Sequence, residues 1–162
     1  MTSAAVFATL LLASATPCTA PEYRQFDFWA GSWDVRNAEG KVAGTNRIEP
    51  ILGGCALQEN WTGRGGMVGT SLNAYDPLDG RWHQTWVDSE GLRLELAGEY
   101  ALGKMTLSGE GPEPDKPGGR VRHRITWSRL PEGGRVRQLW EVSKDAGASW
   151  KAVFDGTYLP LK

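Results

Sequence analysis

The sequence predicts an all-β protein, a single up-and-down antiparallel β-barrel of about ten strands. Short segments of alternating apolar and polar residues recur at roughly the 8–12-residue spacing typical of sandwiches and barrels. The composition, with 21 Gly and eight Trp in 162 residues, suits a β protein with many turns. No confident helical pattern occurs after residue 20. Because consecutive hairpins have short connections, we expect up-and-down topology, and closure removes exposed strand edges.

Each predicted strand is bounded by turn residues. Ala38-Glu39-Gly40 ends the first strand, Pro50 ends the second, and Gly53-Gly54 precedes the third. Asp76-Pro77-Leu78-Asp79-Gly80 is a strong turn signal, and the stretch 111–119, with three prolines, is predicted to be an exposed loop. The predicted strands are 32–37, 41–49, 55–62, 67–75, 81–88, 92–100, 104–110, 120–130, 135–143 and 150–159.

An aromatic stretch leads into the first strand and is predicted to plug one end of the barrel. Four aromatic residues fall within positions 26–33. Segment 26–30 is expected to form at most one short helical turn. Trp29 and Trp33 are predicted to pack in the barrel floor.

The turn at 131–134 sets the register of one hairpin. A four-residue loop pairs Leu130 with Arg135, so that Trp127 faces Gln138 and Ile125 faces Trp140. The apolar face of this hairpin must point inward, because a slip of one residue would bury its arginines.

Residues 1–20 are predicted to be a secretory signal peptide, with the barrel domain at 21–162. An apolar run is followed by two cleavage sites of the A-x-A type, Ala13-Ser14-Ala15 and Cys18-Thr19-Ala20. The run is too short for a comfortable membrane span, so no integral membrane segment is expected. The protein is therefore predicted to be periplasmic or secreted, in a bacterial setting.

The two cysteines leave the redox state open. Cleavage after Ala20 leaves Cys55 alone, whereas cleavage after Ala15 permits a Cys18–Cys55 bridge without requiring it. The favoured interpretation is that Cys55 is a small, buried, apolar residue.

The charge balance and the motifs exclude several classes of function. With 18 basic and 19 acidic residues, the chain lacks the basic excess of a dedicated nucleic-acid binder. It contains no nucleophile elbow, zinc-protease, Walker or dinucleotide motif, and no cofactor is predicted.

Along several strands, polar residues lie on the same face as tryptophans. We therefore predict that the polar residues and the tryptophans both point into the barrel. Inward polar groups are costly unless they are paired, hydrated or in contact with a ligand. Large aromatic side chains line most small-molecule sites. The candidate ligand-binding residues are Glu59, Trp61, Gln84, Trp86, His123, Trp127, Gln138 and Trp140.

The histidines support an enzymatic alternative. His123 is predicted to face inward and could relay a proton, whereas His83 is predicted to lie on the opposite face from Trp82 and Trp86. Two histidines without a third spaced ligand make a poor metal site. In this alternative, His123 works with Glu59 or Asp88 as acid and base in an isomerase, cyclase or hydrolase.

Two further motifs are given structural interpretations. Ser143-x-Asp145-x-Gly147-x-Ser149-Trp150 matches the Asp-box pattern, in which side chains hold a hairpin turn. Half of the twelve arginines lie at 120–137, which predicts a solvated face; a structural or assembly role for that face is a third hypothesis.

Several segments together carry a resemblance to a known family. They are FDFWAGSWDV at 26–35, ILGGC at 51–55, ENW at 59–61, SLNAYDP at 71–77 and WHQTWVD at 82–88. The combination resembles the DUF1579 family, small bacterial proteins of unknown function, and implies a lipocalin-like (calycin) barrel without an activity. Gly31-Ser32-Trp33 also resembles the lipocalin signature at the first strand. The chain also resembles nitrobindin-like haem barrels, more distantly. Their haem ligand is a His in the C-terminal strands, and this chain has no His after His123.

The sequence therefore favours an exported barrel that holds a small apolar or aromatic ligand. It indicates neither the ligand's identity nor the oligomeric state.

Overall fold

The residues that the computed structural model describes, 17–114 and 116–161, form a closed barrel of ten antiparallel strands. Each strand pairs with the next in sequence, and β10 closes the barrel against β1. The predicted up-and-down barrel is confirmed. Most of the predicted signal peptide lies outside the described residues. The strands are β1 (Gly31–Arg36), β2 (Val42–Ile51), β3 (Ala56–Gly63), β4 (Val68–Asp76), β5 (Arg81–Asp88), β6 (Arg93–Ala101), β7 (Lys104–Pro112), β8 (Arg120–Arg129), β9 (Val136–Ser143) and β10 (Lys151–Pro160).

Alternation along the strands sets which side chains enter the barrel. On β6, Leu94 and Leu96 are buried while Arg93 and Glu95 are exposed. The predicted β8–β9 register is also confirmed, with Trp127 opposite Gln138 and the Leu130 amide bonded to the Arg135 carbonyl at 2.9 Å.

Strand β2 runs through Pro50, where the sequence predicted that it would end. Pro50 pairs with Leu57 of β3, but the β1–β2 register ends at Ile48. This end of β2 therefore has one open side, where a residue without an N–H is tolerated.

An aromatic cluster fills the end of the barrel at which β1 begins. Short 3₁₀ turns at Pro21–Arg24 and Asp27–Trp29 precede β1 and place Phe26 and Trp29 inside, both fully buried. Trp127 lies 5.1 Å from Phe26 and 5.2 Å from Trp29 between ring centroids. The Trp33 indole N–H donates to the Trp29 carbonyl at 3.0 Å. This cluster is the predicted floor, and we call its side of the barrel the closed end.

A disulfide ties the N-terminal segment to the closed end. Cys18 is bonded to Cys55, which follows the third 3₁₀ turn, Leu52–Gly54. The interpretation of Cys55 as a free buried residue is therefore wrong. Sequence spacing gave no signal for the bridge, because its geometry depends on how the plug folds back over the β2–β3 turn.

Removing the bridge is expected to destabilise the fold. The bridge closes a loop with a sequence separation of 37 residues. The C55S variant should therefore lose about 3 kcal/mol in free energy of unfolding by urea denaturation. Reduced wild type should show the same loss, and a C18S/C55S double variant no further loss. Equal stability of oxidised and reduced wild type would contradict this prediction.

Across the described part of the chain, no helix has the length and apolar character needed to cross a bilayer.

Candidate ligand-binding site

A cavity of about 370 Å³ lies inside the barrel, away from the aromatic floor. The walls are mainly aromatic and aliphatic, and the loop between β3 and β4 contributes to the rim. Five polar side chains reach the surface of the cavity. The lining residues are Ala43, Glu59, Trp61, Gly63, Arg64, Gly65, Met67, Gln84, Trp86, Leu94, Ile125, Gln138, Trp140, Val153, Phe154 and Tyr158.

Glycines on neighbouring strands make room for two of the tryptophans. A Cβ on Gly69 would lie 2.3 Å from the Trp86 ring, and one on Gly44 would lie 2.8 Å from the Trp61 ring. Each ring therefore packs directly on the backbone of a neighbouring strand, at a glycine that has no side chain in the way. This arrangement keeps the rings on the cavity wall.

Glu59 is at the centre of a buried polar network. Its carboxylate accepts hydrogen bonds from Asn46 Nδ2 at 2.7 Å and from the Ser71 hydroxyl at 2.6 Å. Asn73 Nδ2 in turn donates to Ser71 Oγ at 2.9 Å, and Gln84 Nε2 donates to Asn73 Oδ1 at 2.8 Å. Strands β2, β3, β4 and β5 are thus joined by side chains as well as by backbone.

The same network continues from Asn46 across the barrel. Asn46 Nδ2 also donates to the Tyr158 hydroxyl at 3.2 Å, and Tyr158 donates to Gln138 Oε1. Burial and the nearby Glu59 carboxyl raise the pKa of Tyr158 well above its usual value, so the phenol keeps its proton.

Burial strongly affects the protonation of Glu59. The side chain is only 4 % exposed, and loss of solvent raises the pKa of Glu59 to about 7 despite the hydrogen bonds from Ser71 and Asn46, which act in the opposite direction. A carboxyl group that titrates near neutrality thus lies on the cavity wall.

His123 points inward, but both of its ring nitrogens are engaged. Nε2 lies 2.9 Å from the Pro112 carbonyl, to which it can donate, and Nδ1 accepts the Trp140 indole N–H at 3.1 Å. Burial lowers the pKa of His123, which favours this neutral tautomer. His123 does not line the cavity; it fixes the ring of Trp140, which does.

The structure brings six of the eight candidate residues to the cavity: Glu59, Trp61, Gln84, Trp86, Gln138 and Trp140. Trp127 lies in the floor cluster instead, because it contacts Phe26 and Trp29 at the closed end.

Several site residues were missed by the sequence reasoning. Ser71 and Asn73 alternate on β4 as inward residues do, and Phe154 and Tyr158 are in phase on β10. The alternation of these strands was the available signal. Asn46 alternates in the same way on β2, in phase with Ile48 and between the exposed Thr45 and Arg47.

Other groups singled out in the sequence have structural roles. The Ser143 hydroxyl accepts the Gly147 amide at 2.7 Å, and Asp145 accepts the Ser149 amide at 2.8 Å, so the Asp-box motif holds the β9–β10 turn. Asp88 accepts the Trp86 indole N–H at 3.1 Å and two amides of its own turn.

Two of the six arginines at 120–137 form ion pairs with carboxylates. Arg124 pairs with Glu141 at 2.9 Å, and Arg137 pairs with Asp155 at 2.7 Å. These contacts agree with the predicted solvated face.

One cluster within the described residues has the composition of a metal site. Ligand atoms of Asp76, Asp79 and His83 lie within 4.8 Å of one another. The turn between β4 and β5 explains this cluster. The carboxylate of Asp76 accepts the Leu78 amide, and that of Asp79 accepts the Arg81 amide. The His83 ring lies 2.8 Å from the Asp79 carboxylate.

Comparison with known proteins adds no assignment: no family model matches the chain, and no curated protein matches it significantly.

Proposed function

We propose that this protein is an exported binding barrel whose cavity holds a small, mainly apolar or aromatic ligand. The observation that carries the proposal is the cavity itself, with Trp61, Trp86, Trp140 and Phe154 on its walls. Its volume of about 370 Å³ falls within the usual range for small-molecule sites. Few polar groups in a mostly apolar lining are typical of such sites.

The disulfide supports the export part of the proposal. Disulfides persist mainly in oxidising compartments such as the periplasm and the cell exterior. A mature chain that keeps this bridge must retain Cys18. We therefore propose that the signal peptide is cleaved after Ala15 and not after Ala20. Membership of the DUF1579 family remains part of the proposal, on the motifs given above.

An enzymatic use of the cavity has weaker support. Glu59, with its pKa of about 7, is suited to proton transfer. However, both of its oxygens already accept hydrogen bonds, and the engaged nitrogens of His123 cannot provide the partner base. Binding therefore accounts better for the arrangement.

Filling the cavity should abolish binding. Leu94 is buried and lines the cavity, so the additional atoms in L94W would occupy ligand space. We expect the fluorescent probe N-phenyl-1-naphthylamine to bind wild type, and its affinity for L94W to fall by at least about tenfold in a fluorescence titration.

The matched control is L72W, the same substitution on the outer face of β4, where Leu72 is 49 % exposed. It should bind the probe as wild type does. A second filling variant, I125F, covers the case in which L94W does not fold. Unchanged affinity in a folded filling variant would place the probe elsewhere and contradict the proposal.

A further inference from the structure

Two hydrogen-bond donors lie at the mouth of the cavity, the end of the barrel opposite the closed end. One is the guanidinium of Arg64, on the β3–β4 turn that contributes to the rim. The other is the indole N–H of Trp61, whose ring lies on the cavity wall. Among the described residues, no carboxylate pairs with the guanidinium and no acceptor bonds the indole N–H. Both donors are therefore available to a bound molecule.

The two donors are close enough to bind the same group. The Nε1 atom of Trp61 would lie 3.1 Å from a Cβ on Gly63, the residue that precedes Arg64. Since consecutive Cα atoms are 3.8 Å apart, Nε1 lies at most about 8 Å from the Arg64 Cα. An arginine side chain and one small acceptor group together span that gap. A single head group can thus accept from both donors.

The turn that carries Arg64 is fixed by backbone hydrogen bonds and is bare of other side chains beside it. The Arg64 amide donates to the Ala43 carbonyl on β2 at 2.9 Å, and the Gly63 amide donates to the Met67 carbonyl at 2.8 Å. Both sequence neighbours of Arg64, Gly63 and Gly65, lack a side chain that could cover the guanidinium. The cation is therefore held at the rim and left open.

Charge inside the cavity is separated by depth. Among the described residues that line it, Arg64 is the only basic one and Glu59 the only acidic one. Glu59 precedes Arg64 by five positions on β3, which puts their Cα atoms up to about 16 Å apart along the strand. Both Glu59 oxygens already accept hydrogen bonds, from Asn46 and Ser71. An anion is therefore attracted to the rim and disfavoured near Glu59.

The two neighbouring turns at the mouth carry charges of both signs. The β1–β2 turn contributes Glu39 and Lys41, and the β5–β6 turn contributes Asp88 and Glu90. The Asp88 carboxylate already accepts the Trp86 indole N–H and two amides of its own turn. None of these four charged residues lines the cavity within the described structure. Arg64 is therefore the charge that a ligand meets at the rim.

A carboxylate fits this pair of donors better than other head groups. It can accept from both donors through its two oxygens, and it neutralises the guanidinium. Hydrogen bonds between ionised partners are roughly twice as strong as those between neutral ones. A neutral carbonyl would leave the cation without a counterion, and an ammonium group would be repelled by it.

We propose that the ligand carries a carboxylate, which binds the Arg64 guanidinium and the Trp61 indole N–H at the mouth while its apolar body lies between the tryptophans. This inference rests on the proposed binding function. It adds a chemical class and an orientation, with the head group at the rim and the apolar end directed towards the floor.

Matched naphthalene probes test the head group by isothermal titration calorimetry at about pH 6, where Glu59 is mainly protonated and a naphthoate is ionised. The probes are 2-naphthoate, 2-naphthamide, 2-naphthalenemethanol and 2-naphthylmethylamine. We expect the naphthoate to bind at least about tenfold more tightly than the other three. R64Q keeps N–H donors without the charge and should remove most of that preference. W61F keeps an aromatic ring without the N–H and should reduce the preference at least about threefold.

R93Q is the matched control, because Arg93 precedes the cavity residue Leu94 on β6 and points outward, where it pairs with Glu95. It should keep the wild-type preference. R64M covers the case in which R64Q does not fold. Equal binding of the four probes, tighter binding of an uncharged or cationic probe, or a full preference in folded R64Q or W61F would overturn the head-group inference.

The two proposals can fail separately. If N-phenyl-1-naphthylamine binds wild type and L94W excludes it, but the naphthoate is not preferred, the ligand class is wrong and the binding function stands. If neither the dye nor any probe binds wild type, both proposals fail.

Discussion

Replacing Trp29 by alanine is expected to lower the free energy of unfolding by about 4 kcal/mol. Trp29 is fully buried at the closed end, stacked on Phe26 at 5.0 Å and within 5.2 Å of the Trp127 ring. The substitution would leave a void that the closed barrel cannot collapse to fill, because the backbone hydrogen bonds around it fix its circumference. Urea denaturation with an unchanged m value measures the loss.

W150A is the matched control for this prediction. Trp150 lies outside the barrel on the β9–β10 turn, where the guanidinium of Arg124 lies 4.0 Å from its ring. Its removal should cost no more than about 1.5 kcal/mol. If W29A and W150A were equally mild, the aromatic plug would not be the core element that its burial indicates.

The contrast between Trp127 and Trp140 illustrates what the sequence can predict. Alternation on β8 and β9 correctly puts both rings inside the barrel. It gives no position along the barrel axis, because strand tilt and stagger decide that height. Trp127 therefore joins the floor, whereas Trp140 reaches the cavity. For the same reason, His123 was predicted to face inward but not to be held between Pro112 and Trp140.

The buried polar network around Glu59 shows a second limit. The local sequence pattern predicts the number of strands and the hairpin register. It also predicts that Glu59, Gln84 and Gln138 point into the barrel. The bond between Asn46 and Tyr158 joins residues 112 positions apart across β1, so it depends on closure of the barrel. The disulfide depends similarly on the packing of the plug. The local sequence pattern thus predicts the strands and which of their side chains point inward. The contacts that give the site its chemistry form only when the barrel is closed.

Raising the pH through 7 is expected to destabilise the protein through Glu59. The pKa of Glu59 rises from the usual 4.5 to about 7 on folding, because burial disfavours the charged form. The folded state therefore holds the proton more tightly than the unfolded chain. The associated stability is fully present below about pH 4.5 and is lost as the pH rises through about 7. A difference of this size corresponds to roughly 3 to 4 kcal/mol.

The E59Q variant isolates this contribution. It should lack the loss of stability between pH 5 and pH 8, so the difference from wild type in urea denaturation should grow with pH. The new amide can donate to Asn46 Oδ1, which is buried without a partner in the described structure, if the Asn46 amide turns over. E99Q, an exposed change on β6, should follow wild type at every pH.

A pH-independent difference between wild type and E59Q would mean that Glu59 keeps the same protonation in the folded and unfolded states. That result would contradict burial as the dominant influence on its carboxyl group. Asp145 does not imitate the expected slope, because its hydrogen bonds lower its pKa to about 2 and its contribution to stability is lost only in strong acid. Burial also raises the pKa of Asp27, but Asp27 is the same in wild type and E59Q, so its effect cancels in the comparison. A difference between wild type and E59Q that grows from about pH 4.5 to about pH 7 therefore identifies the buried carboxyl group of Glu59.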